Sequence, residues 1–465
     1  MAPRPDGEQL AAALGARLGG TVANLCRLSG GASRVTSAFD LEVDGTTRPL
    51  IVQTDRGDNP AKAGLMAVER SLLEAAGAAG VPVPAVVAGG DGVADGLGAA
   101  WLVVERLDGE TIPRKILRDP EFADARGALT AQCGRALAAV HTIAPDAVAG
   151  LPPTDPLKDP LPYLDVLGEA RPALELGARW LAAHRPVAGP RVTVHGDFRL
   201  GNLLVDRAGL RGVLDWELAH AGDPAEDVGW LCAPAWRFGG PAEVGGFGAL
   251  GDLLGAYEAA GGEAIDPARV HWWQVYATVK WATICALQAS AHLSGATRSV
   301  ELAAIGRRVC ESEWDLFVLL GVAPSGPPPS PDPLGARVAT PPFGRPTAAE
   351  LVEAVREYLE SSVMDQSEGG TRFEARVARN ALGVVERELV LGPAVAGAHA
   401  QRLRALGAED DAQLAATIRA GDLDDRWERV AAALAASARD QLLVANPSYL
   451  PPSAVPPSYL PAPSA

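Results

Sequence analysis

From Ser37 to Thr54 the sequence SAFDLEVDGTTRPLIVQT runs as two β-rich stretches on either side of Asp44 and Gly45, which predicts a hairpin. The next stretch, AGLMAVERSLLEAAGAAG, has apolar residues at helical spacing, and VPVPAVVAGG and WLVVERLDG after it read as strands or extended segments. Further on, VTV before His195, Leu203 to Val205, and a run ending at Asp215 predict three more short strands. Strands, one helix, more strands and then helices predict an α+β chain with a small β-rich lobe followed by a larger helical one. From Gly321 to Pro346 the pattern stops: the segment is dense in Pro, Gly and Ser, and reads as a linker. Helical spacing resumes at Thr347, a capping residue, with Leu351, Val355, Leu359 and Val363. RFEARVARNALGVVERELVLG and DDRWERVAAALAASARDQLLVAN repeat it, so residues 347–446 are expected to form a separate all-α domain of about three to five helices. The Pro- and Ser-rich end, 447–465, carries PSYLP twice and is expected to be disordered.

Composition narrows the classes. A chain of 465 residues holds two or three domains. Hydrophobic content of 48% with a formal charge of -16 argues for a soluble globular protein and against binding to nucleic acid or an acidic membrane surface. The five cysteines are widely spaced and never form a C-x-x-C pair, which suits a reducing compartment. With no signal-like apolar start and no run of about 18 apolar residues, the expected location is the cytoplasm.

Candidate chemistry is concentrated between residues 192 and 230. Asp197, Asn202 and Asp215 fall at loop or strand-end positions in apolar surroundings, where unpaired carboxylates are costly. A bound cation accounts for them: magnesium takes oxygen ligands and holds one or two protein carboxylates beside substrate phosphates and water. Asn202 and Asp215 fit as its ligands. Asp197, five positions before Asn202, fits as the group that orients or deprotonates a substrate hydroxyl attacking the γ-phosphate of ATP.

HGDFRLGNLLVD, VLDWE and GDPAEDVGW together resemble the aminoglycoside phosphotransferase family, in the branch related to the kinase-like domain that accompanies acyl-CoA dehydrogenases. The resemblance covers roughly residues 20 to 320. It implies a protein-kinase-like bilobal fold over 1–320, with a β-rich lobe at about 20–107 and a helical lobe at about 108–320, and an ATP- and Mg2+-dependent transfer to a small-molecule hydroxyl. It assigns Gly30, Gly31 and Ser33 to the loop covering the phosphates, Glu69 to the acid paired with a strand cation, and Glu105 to Leu107 to the segment meeting adenine. His195 is read as a structural member of the loop, with Asp223 and Asp227 bracing it. One position departs from the pattern: Gln53 stands on the strand where the family has Lys or Arg, and a neutral amide does not neutralise phosphate charge. Arg56 is one substitute for it. The alternative reading is a catalytically weakened nucleotide- or metabolite-binding relative. Trp273, Tyr276, Lys280 and Trp281 share a helix that forms part of the family's acceptor pocket, although core packing also explains the aromatics. Lys280, Arg298, Arg307 and Arg308 favour an anionic acceptor such as a hydroxyacyl-CoA. The C-terminal helices resemble an uncharacterised helical domain; a role in packing, self-association or partner docking is expected of them, and a cut near Gly326 is expected to leave a kinase domain that folds alone.

Overall fold

The computed structural model describes residues 7–28, 34–55, 64–91, 97–153, 162–187, 189–330, 338, 342 and 344–451. The chain packs as two units, Met1–Thr154 with Val187–Trp273, and Asp155–Pro186 with Gln274–Ala465.

In the first unit, helix α1 (Gly7–Leu18) precedes a five-stranded antiparallel sheet of β1 (Thr21–Arg27), β2 (Arg34–Val43), β3 (Thr46–Asp55), β4 (Val86–Gly90) and β5 (Trp101–Glu105), in the order β1-β2-β3-β5-β4. The expected hairpin is β2 and β3. Asp44 and Gly45 both take positive φ, 47° and 76°, the backbone that a two-residue turn matched to strand twist demands. Alternate side chains share a sheet face, so Phe39 and Leu41 of β2, Leu50 and Val52 of β3, and Trp101 and Val103 of β5 form one apolar surface. Leu14 of α1 packs into that core. The helix α2 (Leu65–Ala78) carries the buried Glu69.

After α3 (Pro113–Arg118) and α4 (Ala123–His141) come α5 (Pro162–Leu167) and α6 (Pro172–Ala183), which belong to the second unit. The chain returns as β6 (Val192–Val194), β7 (Leu203–Asp206), β8 (Gly209–Val213) and β9 (His220–Gly222), paired antiparallel as β6 with β9 and β7 with β8. These two ribbons hold the ends of the segment from His195 to Asn202. Helices α7 (Pro224–Cys232) and α8 (Leu250–Ala259) follow, and α9 (Pro267–Leu293) contains the boundary between the units, at Trp273 and Gln274.

The second unit continues with α10 (Val300–Ile305), α11 (Val309–Leu319), α12 (Ala348–Tyr358), α13 (Gly369–Leu406), α14 (Asp411–Ala420) and α15 (Trp427–Ala445). Thr347 caps α12 as expected, in a reciprocal box in which Glu350 N–H donates to its hydroxyl and the Glu350 carboxylate accepts from Thr347 N–H at 2.7 Å.

The division differs from the one the linker suggested. Residues 347–446 do not pack as a domain of their own: Leu391, Leu403, Leu434 and Leu442 share one core with Ala173 and Leu176 of α6 and Trp314 and Phe317 of α11. Helices α6 and α11 therefore pack with the C-terminal helices as well as with α5 and α9. The physical reason lies in α11, whose residues from Val309 to Phe317 are all buried. A helix buried all round needs neighbours on every side. Nor is the linker loose at its start, where Ser325 N–H donates to Ala432 O at 3.0 Å and Arg439 Nη1 to Gly326 O at 2.7 Å. Order also extends past 446, correcting the expected start of the tail: Tyr449 Oη donates to Asp315 at 2.6 Å and Leu450 is buried. No helix among the described residues is long and apolar enough to cross a membrane.

Candidate active site

The loop after β6 is held from beneath by Asp227 on α7. Its carboxylate accepts the backbone N–H of His195 at 2.8 Å and of Gly196 at 2.9 Å, and lies 3.2 Å from His141 Nε2. Burial alone raises such a carboxyl; the bond and charge of His141, with His195, more than offset this and hold Asp227 below the usual carboxylate range. His141 Nδ1 in turn meets Tyr257 Oη at 2.9 Å, so the brace reaches α4 and α8. Asp223 caps α7 through Ala225 N–H at 2.9 Å.

His195 is fully buried. Its Nδ1 accepts the Asp197 N–H at 3.2 Å, which requires that nitrogen to be unprotonated, and its Nε2 therefore carries the proton toward Leu214 O at 3.1 Å. Burial pushes the imidazole's pKa down, against the pull of Asp227 and Asp197. The ring is a neutral strut between two loops.

This strut presents Asp197. One carboxylate oxygen accepts Trp230 Nε1 at 2.7 Å and Arg199 Nε at 2.9 Å; the other accepts Asn202 Nδ2 at 2.6 Å. Asn202 Nδ2 also reaches Asp197 O at 3.0 Å, so both of its contacts are acceptors and the amide oxygen faces away from them. The Arg199 guanidinium lies 4.7 Å from the Trp236 ring, which fixes its position. Arg199 and Trp230 were not singled out from the sequence as site residues, although both stand inside the motifs that marked it.

Asp215 follows β8 and adopts φ 66°, a left-handed backbone uncommon outside glycine. Its carboxyl reaches solvent on one side and is crowded by protein on the other. That crowding, with the charges of Glu217 and Asp197, raises it to about 6, while Arg34 and Arg199 oppose the rise. An excess of oxygen acids over cations is the donor chemistry that a hard divalent cation satisfies. Among the described residues no group of three or more His, Cys, Asp and Glu side chains is arranged to hold a metal by itself.

Opposite stands the small-lobe side of the site. Glu69 of α2 is ion-paired with Arg34, the first residue of β2, and both are buried. Gln53 lies on β3 beside this pair, opposite Thr36 in the ladder, with its Oε1 3.4 Å from Arg34 Nη1. Arg34 is a cation beside Glu69 that sequence reasoning missed. Gly30, Gly31, Ser33 and Arg56 lie outside the described residues. Glu105 ends the sheet: its N–H and that of Arg106 donate to Ala85 O and Pro49 O, and Leu107 follows beyond the last of these bonds. In the second unit, Tyr276 is buried with Lys280 Nζ 5.7 Å from its ring, while Arg307 pairs with Glu388 and Arg308 with Glu311.

Residues 24–273 match the phosphotransferase enzyme family, more than half of the chain. The chain belongs to this family. Its α+β first unit accordingly has the family's kinase-like fold, and transfer of a phosphoryl group to a small molecule is the activity class that membership supports. Residues 365–449 match a domain of unknown function, DUF6285. A mouse protein, acyl-CoA dehydrogenase family member 10, is 31% identical over 185 residues, which is 36% of this chain and 16% of that protein. The chain therefore corresponds to only a small part of that relative's length. Among solved structures, a thermostable mutant of the aminoglycoside phosphotransferase APH(4)-Ia in a ternary complex with ADP and hygromycin B is similar at TM-score 0.46 and 17% identity, covering 67% of this chain and 98% of that one. The macrolide 2'-phosphotransferase MphH from Brachybacterium faecium is similar at TM-score 0.43 and 19% identity, covering 64% and 96%.

Proposed function

We propose that the protein moves the γ-phosphate of ATP to a hydroxyl of a small molecule, with Asp197 as the group that receives the hydroxyl proton. The observation that carries this reading is the holding of Asp197: Trp230, Arg199 and Asn202 fix both carboxylate oxygens. A carboxylate so oriented is preorganised to align a hydroxyl and take its proton. The amide oxygen of Asn202 and the carboxylate of Asp215 are the oxygen ligands that would hold Mg2+. When bound, that ion neutralises phosphate charge. Glu69 fixes the small-lobe cation, and the backbone from Glu105 to Leu107 meets the adenine edge.

For the acceptor we infer a hydroxyacyl-CoA or similar anionic metabolite, a reading supported by the mouse relative's link to acyl-CoA chemistry. Of the cations named from the sequence, Arg307 is engaged by Glu388 and Arg308 by Glu311. All five cysteines are free thiols, in keeping with action in the cytoplasm. Self-association through α12 belongs to the same reading, because Leu351, Val355 and Tyr358 stay exposed on it; sedimentation of a Leu351→Glu variant tests it.

Asp197→Asn tests the central role. It keeps the shape of the group and removes its basicity, so turnover should fall at least about 100-fold while the Kd for Mg-ATP stays near wild type. Turnover close to wild type would overturn the assignment.

A further inference from the structure

We propose that Arg34, at the start of β2, is the residue that binds the nucleotide's phosphates in place of the cation missing from β3. The inference rests on reading the site as an ATP site, and deepens it. In the family pattern the cation on the third strand pairs with the acid of the following helix; here that strand offers Gln53, a neutral amide. The acid, Glu69, nevertheless has a cationic partner, and it comes from the neighbouring strand. Antiparallel pairing makes this geometrically direct. Arg34 sits opposite Asp55 and Gln53 opposite Thr36, so the long guanidinium reaches back along β3 to the position beside Gln53. Arg34 Nη1 meets both Glu69 and, at 3.4 Å, Gln53 Oε1, and Nε lies 4.0 Å from Asp55.

The charges around Arg34 point the same way. Its guanidinium is shared among Glu69, Asp55 and Glu217, and it acts in turn on the Asp215 carboxyl across the site. A purely structural ion pair needs one acid, whereas this cation, besides pairing with the helix acid, interacts electrostatically with the two carboxylates of the LDWE segment. Among the described residues Arg34 Nη2 makes no hydrogen bond. A planar guanidinium whose second terminal nitrogen is bonded to no described residue suits phosphate oxygens, which it can meet with two donors where an ammonium offers a point charge. Gln53 then has a role of its own: its amide oxygen accepts from Arg34 and steadies the fork.

The experiment is calorimetric titration of the full-length protein and its variants with Mg-ATP, Mg-ADP and adenosine, with thermal melts to certify folding. Arg34→Gln is expected to weaken Mg-ATP by about 10- to 100-fold, the range for losing a charge-assisted contact, and to leave adenosine within about twofold. Adding Gln53→Arg to Arg34→Gln should restore most of the lost affinity, because the cation returns to the neighbouring strand. Arg34→Lys, which keeps the ion pair with Glu69, should still weaken Mg-ATP by a few-fold and serves if Arg34→Gln does not fold. Wild-type affinity for Mg-ATP in a folded Arg34→Gln or Arg34→Lys protein would overturn the proposal, and so would an equal loss for ATP and adenosine, which marks a merely structural residue. Should the wild-type protein bind no Mg-ATP, the reading as an ATP site fails and this inference falls with it.

Discussion

Gly196 stands between His195 and Asp197 with φ 79°, and a Cβ there would lie 2.3 Å from Leu218 O. No side chain fits that approach without moving backbone. Gly196→Ala is expected to cost about 2 kcal/mol or more and to lower turnover by displacing Asp197, which thermal melts and kinetics would measure together. Asp215 illustrates the opposite balance. Its folded pKa, about 6, lies above the ordinary value for an aspartate, so the folded chain binds its proton more tightly than the unfolded chain does. The sign follows: the ionised carboxylate destabilises the fold above pH 6, and that penalty fades as the pH falls toward 4. Asp215→Asn should therefore raise the melting temperature of the metal-free protein at pH 8 while abolishing the effect of Mg2+ on ATP affinity. A lower melting temperature with an unchanged Mg2+ titration would contradict both halves. The loop from His195 to Asn202, with Asp215, was legible in the sequence because its chemistry is local and its spacing short. The residues that hold it were not: counted from His195, His141 stands 54 positions before, Tyr257 62 after and Arg34 161 before, joined through packing that no local pattern encodes.

Among the elements, the hairpin at Asp44 and the capped helix at Thr347 were readable, since a turn and a cap are written in a few adjacent residues. Helix α11 was not. Its sequence VCESEWDLFVL carries four polar or acidic residues, Glu311, Ser312, Glu313 and Asp315, and all four are buried. They are tolerated because partners come from distant segments: Asn446 Nδ2 donates to Glu311 at 2.9 Å, Tyr449 Oη to Asp315 at 2.6 Å, and Arg171 lies 3.8 Å from Glu313. A helix with mixed polarity reads as half-exposed until those partners are known. Two substitutions test this packing. Phe317→Ala removes a fully buried ring from the shared core and should destabilise the second unit by about 3–5 kcal/mol in chemical denaturation. Tyr449→Phe removes the hydroxyl that donates to the Asp315 carboxylate and should cost about 1–3 kcal/mol. A loss under about 0.5 kcal/mol from either would show that α11 does not depend on the C-terminal helices.

For the molecule as a whole, the Pro-rich stretch after Gly321 marks a change of composition and not a boundary of packing. Truncation after Gly326 removes the helices that cover α6 and α11, leaving apolar surface from Leu176, Trp314 and Phe317 in water. Residues 1–326 alone should aggregate or melt well below the full chain, and should be rescued by co-expression with residues 327–465. A monomeric fragment with the melting temperature of the whole would contradict the shared core. For the chemistry, the decisive experiment is transfer itself. The purified full-length protein is incubated with Mg2+, ATP labelled at the γ-phosphate, and a panel of hydroxylated metabolites that includes hydroxyacyl-CoA thioesters and aminoglycosides. Label is expected in an organic phosphate ester that requires Mg2+ and vanishes in Asp197→Asn. Label that stays on ATP or appears only as inorganic phosphate, or an ester that forms equally well in Asp197→Asn, would contradict it.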